Sequence, residues 1–126
     1  MKLNPYLIKT DYIPFRNRKG GKTRPVLLHR LNSNSIRVWS ITKEYLTKSS
    51  FIRLQYFPLF KWHPYGLNQT SYVDIKNEIN IPNDVYKTLN LCKKDPIWFL
   101  DYEDINSFID FNNSYSKRVK RWKFKL

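Results

Sequence analysis

Short apolar runs that alternate with period two, cut by turn-forming residues about every ten positions, leave this chain few options other than a small β-structure. The clearest run is Ser35-Ile36-Arg37-Val38-Trp39-Ser40-Ile41-Thr42. Its alternation puts Ile36, Val38 and Ser40 on one face of a strand. Leu7-Ile8 and Tyr12-Ile13 flank polar residues in a first strand that Pro14 ends, because proline cannot donate to a ladder. Pro25-Val26-Leu27-Leu28 starts a second strand, and Asn32-Ser33-Asn34 supplies hairpin chemistry before the third. Phe51 to Tyr56 is a further β-rich run, Pro58 to Gly66 is rich in turn residues, and Ser71 to Ile75 alternates again with Ile79 to Ile81 continuing it. The spacing predicts a barrel or sandwich.

The end of the chain has a different period. Asp101-Tyr102-Glu103-Asp104 suits a helix start, since carboxylates accept from the first-turn amides and meet the positive end of the helix dipole. Ile105, Phe108 and Ile109 then fall on one helical face, and Asn112-Asn113-Ser114 weakens the helix. The fold class expected is mainly β with α: a small barrel with a C-terminal helix in one domain over 1–116, followed by a basic tail over 117–126. That tail interleaves Val119, Trp122 and Phe124 with its cations. It reads as a helix continuation or a clamp across the barrel.

A chain of 126 residues supports one core and not two. With 41% hydrophobic and 17% aromatic residues, it has enough apolar surface to fold. The net charge is +13, which makes a polyanion the first partner to consider, because neutralised phosphates release counterions. The charge is uneven. Residues 1–50 carry eleven Lys/Arg against Asp11 and Glu44, residues 51–116 carry six against eight acids, and the last ten residues add six more cations. A single cysteine, Cys92, allows no internal disulfide, fits a reducing compartment and reads as a small buried hydrophobe. The N-terminal apolar run is broken early for a signal peptide, and no stretch has the roughly 20 apolar residues of a membrane helix. The expected location is cytoplasmic, away from membranes.

Three segments, taken in order, resemble the MazF/PemK family of toxin ribonucleases, in its PemK-like branch. Asp11-Tyr12-Ile13-Pro14-Phe15 followed by Gly20-Gly21-Lys22-Thr23-Arg24-Pro25-Val26-Leu27-Leu28 looks like that family's first strand, mobile loop and Arg-Pro-Val-Leu strand. Ile36 to Thr42 looks like its hydrophobic strand ending in Ile-Thr. Trp62, then Gly66-Leu67, then Ser71-Tyr72-Val73 is similar to its Trp, Gly-Leu and Ser-Tyr series. The likeness spans about residues 8–82, with a weaker echo in the helix after Asp101. It implies an SH3-like barrel with appended helices, a homodimer, an acidic antitoxin partner, and metal-independent, sequence-specific cleavage of single-stranded RNA. In that chemistry the 2′-hydroxyl attacks, giving a cyclic or 3′-phosphate and a 5′-hydroxyl end.

Such a reaction needs a proton acceptor for the 2′-hydroxyl, positive charge on the phosphorane-like transition state, and a proton for the leaving oxygen. Arg24 is the first catalytic candidate: a guanidinium is a permanently charged fork matched to phosphate oxygens, and it matches the family's Arg-Pro arginine. Thr42 is the second, on the resemblance alone, as a hydroxyl donor near the scissile phosphate; without it, Thr42 is an ordinary β-branched strand residue. Gly20, Gly21 and Lys22 are expected to form a loop over bound RNA, with Arg16, Arg18 and Lys19 as phosphate contacts that position without specifying sequence. Trp62, Tyr65 and Tyr56 offer faces for unpaired bases or, alternatively, plugs for the barrel's end.

The general base stays open. Some family members use an Arg and an Asp on the late strand, but here the alignment across Tyr72 to Glu78 slips by one residue. Asp74, Glu78, His29 and His63 are all candidates, with His29 expected on the strand face opposite Arg24. The spacings give no zinc cluster, no phosphate-binding glycine motif and no nucleophile elbow, so no cofactor is expected. Two other readings compete: a nucleic-acid-binding barrel without chemistry, and a protein-binding module whose positive face serves an acidic partner.

Overall fold

Val26-Leu27-Leu28 is apolar without a break, and a strand that reads this way is covered on both faces. The computed structural model places it in that setting. It describes residues 6–14, 19–30, 35–82, 97–115 and 120–123, with the backbone alone at 11–14 and 120–123. Strands β1 (Tyr6–Pro14), β2 (Gly21–Arg30) and β3 (Ser35–Thr42) form an antiparallel meander. The other edge of β3 is shared. Ser35 to Val38 pair with β6 (Asn77–Pro82), whereas Ile41 and Thr42 pair with β5 (Ser71–Asp74), which pairs in turn with β4 (Tyr56–Leu59). This fork curls the sheet into a half-barrel. Strand β7 (Trp98–Phe99) closes against β1, and β8 (Lys120–Lys123) adds in parallel to β6.

Alternation along β2 and β3 sends side chains to two apolar clusters, one on each face of the sheet, in place of the single core expected from length. Leu27, Trp39 and Ile41 join Phe57, Leu59, Val73 and Phe108 on one side. Val26, Leu28, Ile36 and Val38 join Ile79 and Ile81 on the other. The first core is capped by helix α2 (Tyr102–Tyr115), which inserts the fully buried Phe108 edge-on against Trp39 and Phe57, with centroids 5.0 and 5.4 Å away. Asp101 caps that helix as its sequence suggests: its carboxylate accepts from the Asp104 amide at 2.8 Å.

Four expectations need correction. Phe51 to Tyr56 is not one strand: Ser50–Arg53 is a short helix, α1, capped by Ser49, and the strand begins only at Tyr56. The Ser49 hydroxyl accepts from the Ile52 amide, and that local bond outcompetes extended pairing. Ile79 to Ile81 belongs to a separate strand, β6, because Asp74 turns the chain by accepting from the Lys76 amide and from Asn77. Asn112 to Ser114 do not stop the helix, which runs on to the buried Tyr115. Of the tail's two readings, helix continuation fails at 120–123, whose backbone is a strand paired with β6, which leaves the clamp.

Candidate active site

Register brings the two catalytic candidates together. Val26 faces Ser40 across the β2–β3 ladder. Two residues further toward this end, Arg24 on β2 and Thr42 on β3 have the same parity and emerge on the same face of the sheet. Both line a groove of about 410 Å³ that also takes in Lys22, Lys43, Glu44, Gly66 and Leu67. Three of its side chains are cationic and one is a carboxylate, so it favours an anion.

Thr42 is oriented by the connection that leaves β3. Its Oγ1 accepts the Glu44 amide at 3.1 Å, which leaves the hydroxyl proton to donate into the groove. Tyr45 then stacks on Tyr72 of β5, with ring centroids 4.3 Å apart and planes 11° from parallel. Arg53 of α1 covers the Tyr45 ring at 5.1 Å, donates to the Tyr45 carbonyl at 3.1 Å and to the Leu46 carbonyl at 2.6 Å. The connection from Thr42 to Arg53 is therefore a built wall pinned at both ends. Tyr56 packs beside it, its ring 6.2 Å from Tyr45. Burial pushes the Tyr56 phenol above its usual range, the carboxylates of Asp74 and Glu44 push it further, and Arg24 opposes them.

The opposite wall depends on Gly66. It ends the 3₁₀ turn His63–Tyr65 at φ 70°, a left-handed conformation suited to glycine. A Cβ there would overlap the Trp98 ring. The glycine thus lets β7 close against the groove wall.

The remaining candidates separate. Gly21 and Lys22 are not loop residues: they pair with Pro14 and Ile13 in the β1–β2 ladder, so Arg24 sits inside a strand opposite Asp11 rather than at a strand mouth. Gly20, at φ 91°, and Lys19 are exposed and immediately precede β2. Arg16, Arg18 and Cys92 lie outside the described residues. Tyr65 is a plug, since it is 3% exposed and its hydroxyl accepts from the Asp101 amide and donates to Asp104. Burial and the two acids hold that phenol far above its usual range. Trp62 is half-buried and packs edge-on against His63. Neither aromatic is among the residues lining the groove.

The proton-transfer candidates also move apart. Asp74 accepts from Gln55, Lys76 and Asn77. Glu78 is fully buried, 3.7 Å from Arg37. His29 stacks on Tyr6 at 3.9 Å, and its parity puts it on the face opposite Arg24. None of these lines the groove. The acid that does, Glu44, escaped sequence reasoning. One signal was present: it is the sole acid between Asp11 and Asp74, two residues beyond a strand-ending threonine. Among the described residues, no three His, Cys, Asp or Glu side chains gather as a metal site, and no helix is long and apolar enough to cross a membrane. Compared with protein-family models, with curated proteins and with solved structures, the chain gives no match.

Proposed function

We propose that this chain is a metal-independent, sequence-specific endoribonuclease of the MazF/PemK type, the toxin of a toxin–antitoxin pair. The observation that carries the reading is the meeting of Arg24 and Thr42, eighteen residues apart in sequence, at the rim of one cationic groove. Within it, the RNA phosphate lies between the Arg24 guanidinium, which neutralises the phosphorane-like transition state, and the Thr42 hydroxyl, which donates to a phosphate oxygen. Lys22 and Lys43 hold the flanking phosphates as point charges. The barrel is then SH3-like, the working unit a homodimer in the cytoplasm, and an acidic antitoxin segment blocks the groove by charge complementarity.

The test is cleavage of a long mixed-sequence RNA in EDTA, with fragment ends mapped. Discrete fragments carrying 5′-hydroxyls are expected, and Arg24→Ala is expected to form them about 10²–10³-fold more slowly in a folded protein. Salt-sensitive binding of intact RNA would instead favour a barrel that binds without cutting. That second reading draws on Asp74, whose carboxylate already serves three donors.

A further inference from the structure

We infer that Glu44 is the general base of this site, the group that takes the 2′-hydroxyl proton; the inference rests on the ribonuclease reading. Glu44 is the one carboxylate among the described residues that line the groove, and it shares that lining with Arg24 and Thr42. Its position is built. Its own amide is tied to Thr42 Oγ1, and the next residue is locked between Tyr72 and Arg53. A base held this way keeps its geometry without relying on the substrate. Its carboxylate is 69% exposed and meets Lys48 at 4.0 Å, a loose surface contact.

The groups facing it come from each element around the groove: Lys22 and Arg24 from β2, Lys43 and Lys48 from its own connection, and Tyr56 from β4, whose phenol feels both Glu44 and Asp74. A carboxylate acts as a base in its ionised form. In the proposed step the 2′-oxygen gives its proton to Glu44 and bonds to phosphorus. The bond from phosphorus to the 5′-oxygen breaks, and that oxygen keeps the electron pair and takes a proton from water. Glu44 returns its proton to solvent.

The test is single-turnover cleavage of a short RNA across pH, with the wild-type chain, E44Q, E44D and D11N. Asp11 is the control carboxylate because it stands in register with Arg24. Wild type and D11N are expected to lose rate as the pH falls and a base is protonated. E44Q is expected to lose about 10²–10⁴-fold in rate and the acid limb with it, and E44D to recover part. Binding of an RNA with a 2′-deoxy sugar at the cut nucleotide is expected to be unchanged in E44Q, which separates chemistry from folding and affinity. Retention of the acid limb by E44Q, at a rate within about tenfold of wild type, overturns the assignment while leaving the ribonuclease reading intact. A wild-type chain that binds the deoxy RNA but cuts no RNA overturns both.

Discussion

Arg24 and Thr42 contribute different interactions to the groove, and their variants separate them. Arg24→Ala removes a charge aimed at the transition state and is expected to lower the cleavage rate about 10²–10³-fold. Arg24→Lys is expected to recover little, because an ammonium lacks the planar fork. Thr42→Val keeps the strand and removes one hydrogen bond to a charged group, a loss of about 1.5–3 kcal/mol or roughly ten- to a hundred-fold in rate. Thr42→Ser is expected to restore most of it, since the hydroxyl still accepts from the Glu44 amide. Measured rates on one defined RNA check all four. Full activity in the Val variant beside a loss in the Ser variant would show that Thr42 matters through its methyl group and not its hydroxyl.

Two joints between elements hold the groove. The first is Gly66 against Trp98. Gly66→Ala adds a strained left-handed residue, about 1–3 kcal/mol, to a ring contact that has no room for a methyl group. Its denaturation midpoint is expected to drop, with Trp98→Leu as the second change that relieves the clash. The second joint ties the 3₁₀ turn to helix α2 through Lys61, Tyr65, Asp101 and Asp104. Lys61 donates to Asp101 and holds that carboxylate below its usual 3.8. A lowered folded-state value means a contribution present above the unfolded pKa and lost as the pH falls through the folded one. The helix cap is therefore expected to survive to pH below about 4, and Lys61→Met to move its loss toward neutrality in a circular-dichroism acid titration. Phe108→Ala, which empties the centre of the helix–sheet contact, is expected to cost about 3–5 kcal/mol.

At the scale of the whole molecule, a net charge of +13 makes RNA affinity strongly salt-dependent. On a single strand each neutralised phosphate contributes about −0.7 to the slope of log K against log salt. Replacing Lys22 and Lys43 by Gln is expected to flatten the slope by about 1.4, with little effect on folding, because both side chains are exposed. An unchanged slope in a filter-binding series would mean that RNA lies elsewhere on the surface. Deleting 117–126 is a poorer probe of the tail, since it removes β8 along with the charge.

The chain's own pattern was enough for β1, β3, β5 and the α2 face. In β5 and α2 a period of two or of 3.6 coincides with one buried side, and in β3 the alternation sorts apolar side chains to two buried faces, so local preference and burial agree. Parity also separated His29 from Arg24, whereas Thr42 was singled out by the resemblance and not by pattern. Where local bonds compete with the period, as at Ser49 and Asp74, pattern alone misled. Glu44 and Tyr65 are the larger lesson. A carboxylate two residues past a strand and a tyrosine in a turn look alike in sequence: both are polar-tipped residues in connections. Only the fork at β3 and the docking of α2 turn one toward a cationic groove and bury the other against two acids. Those contacts join residues far apart along the chain, and no local period encodes them.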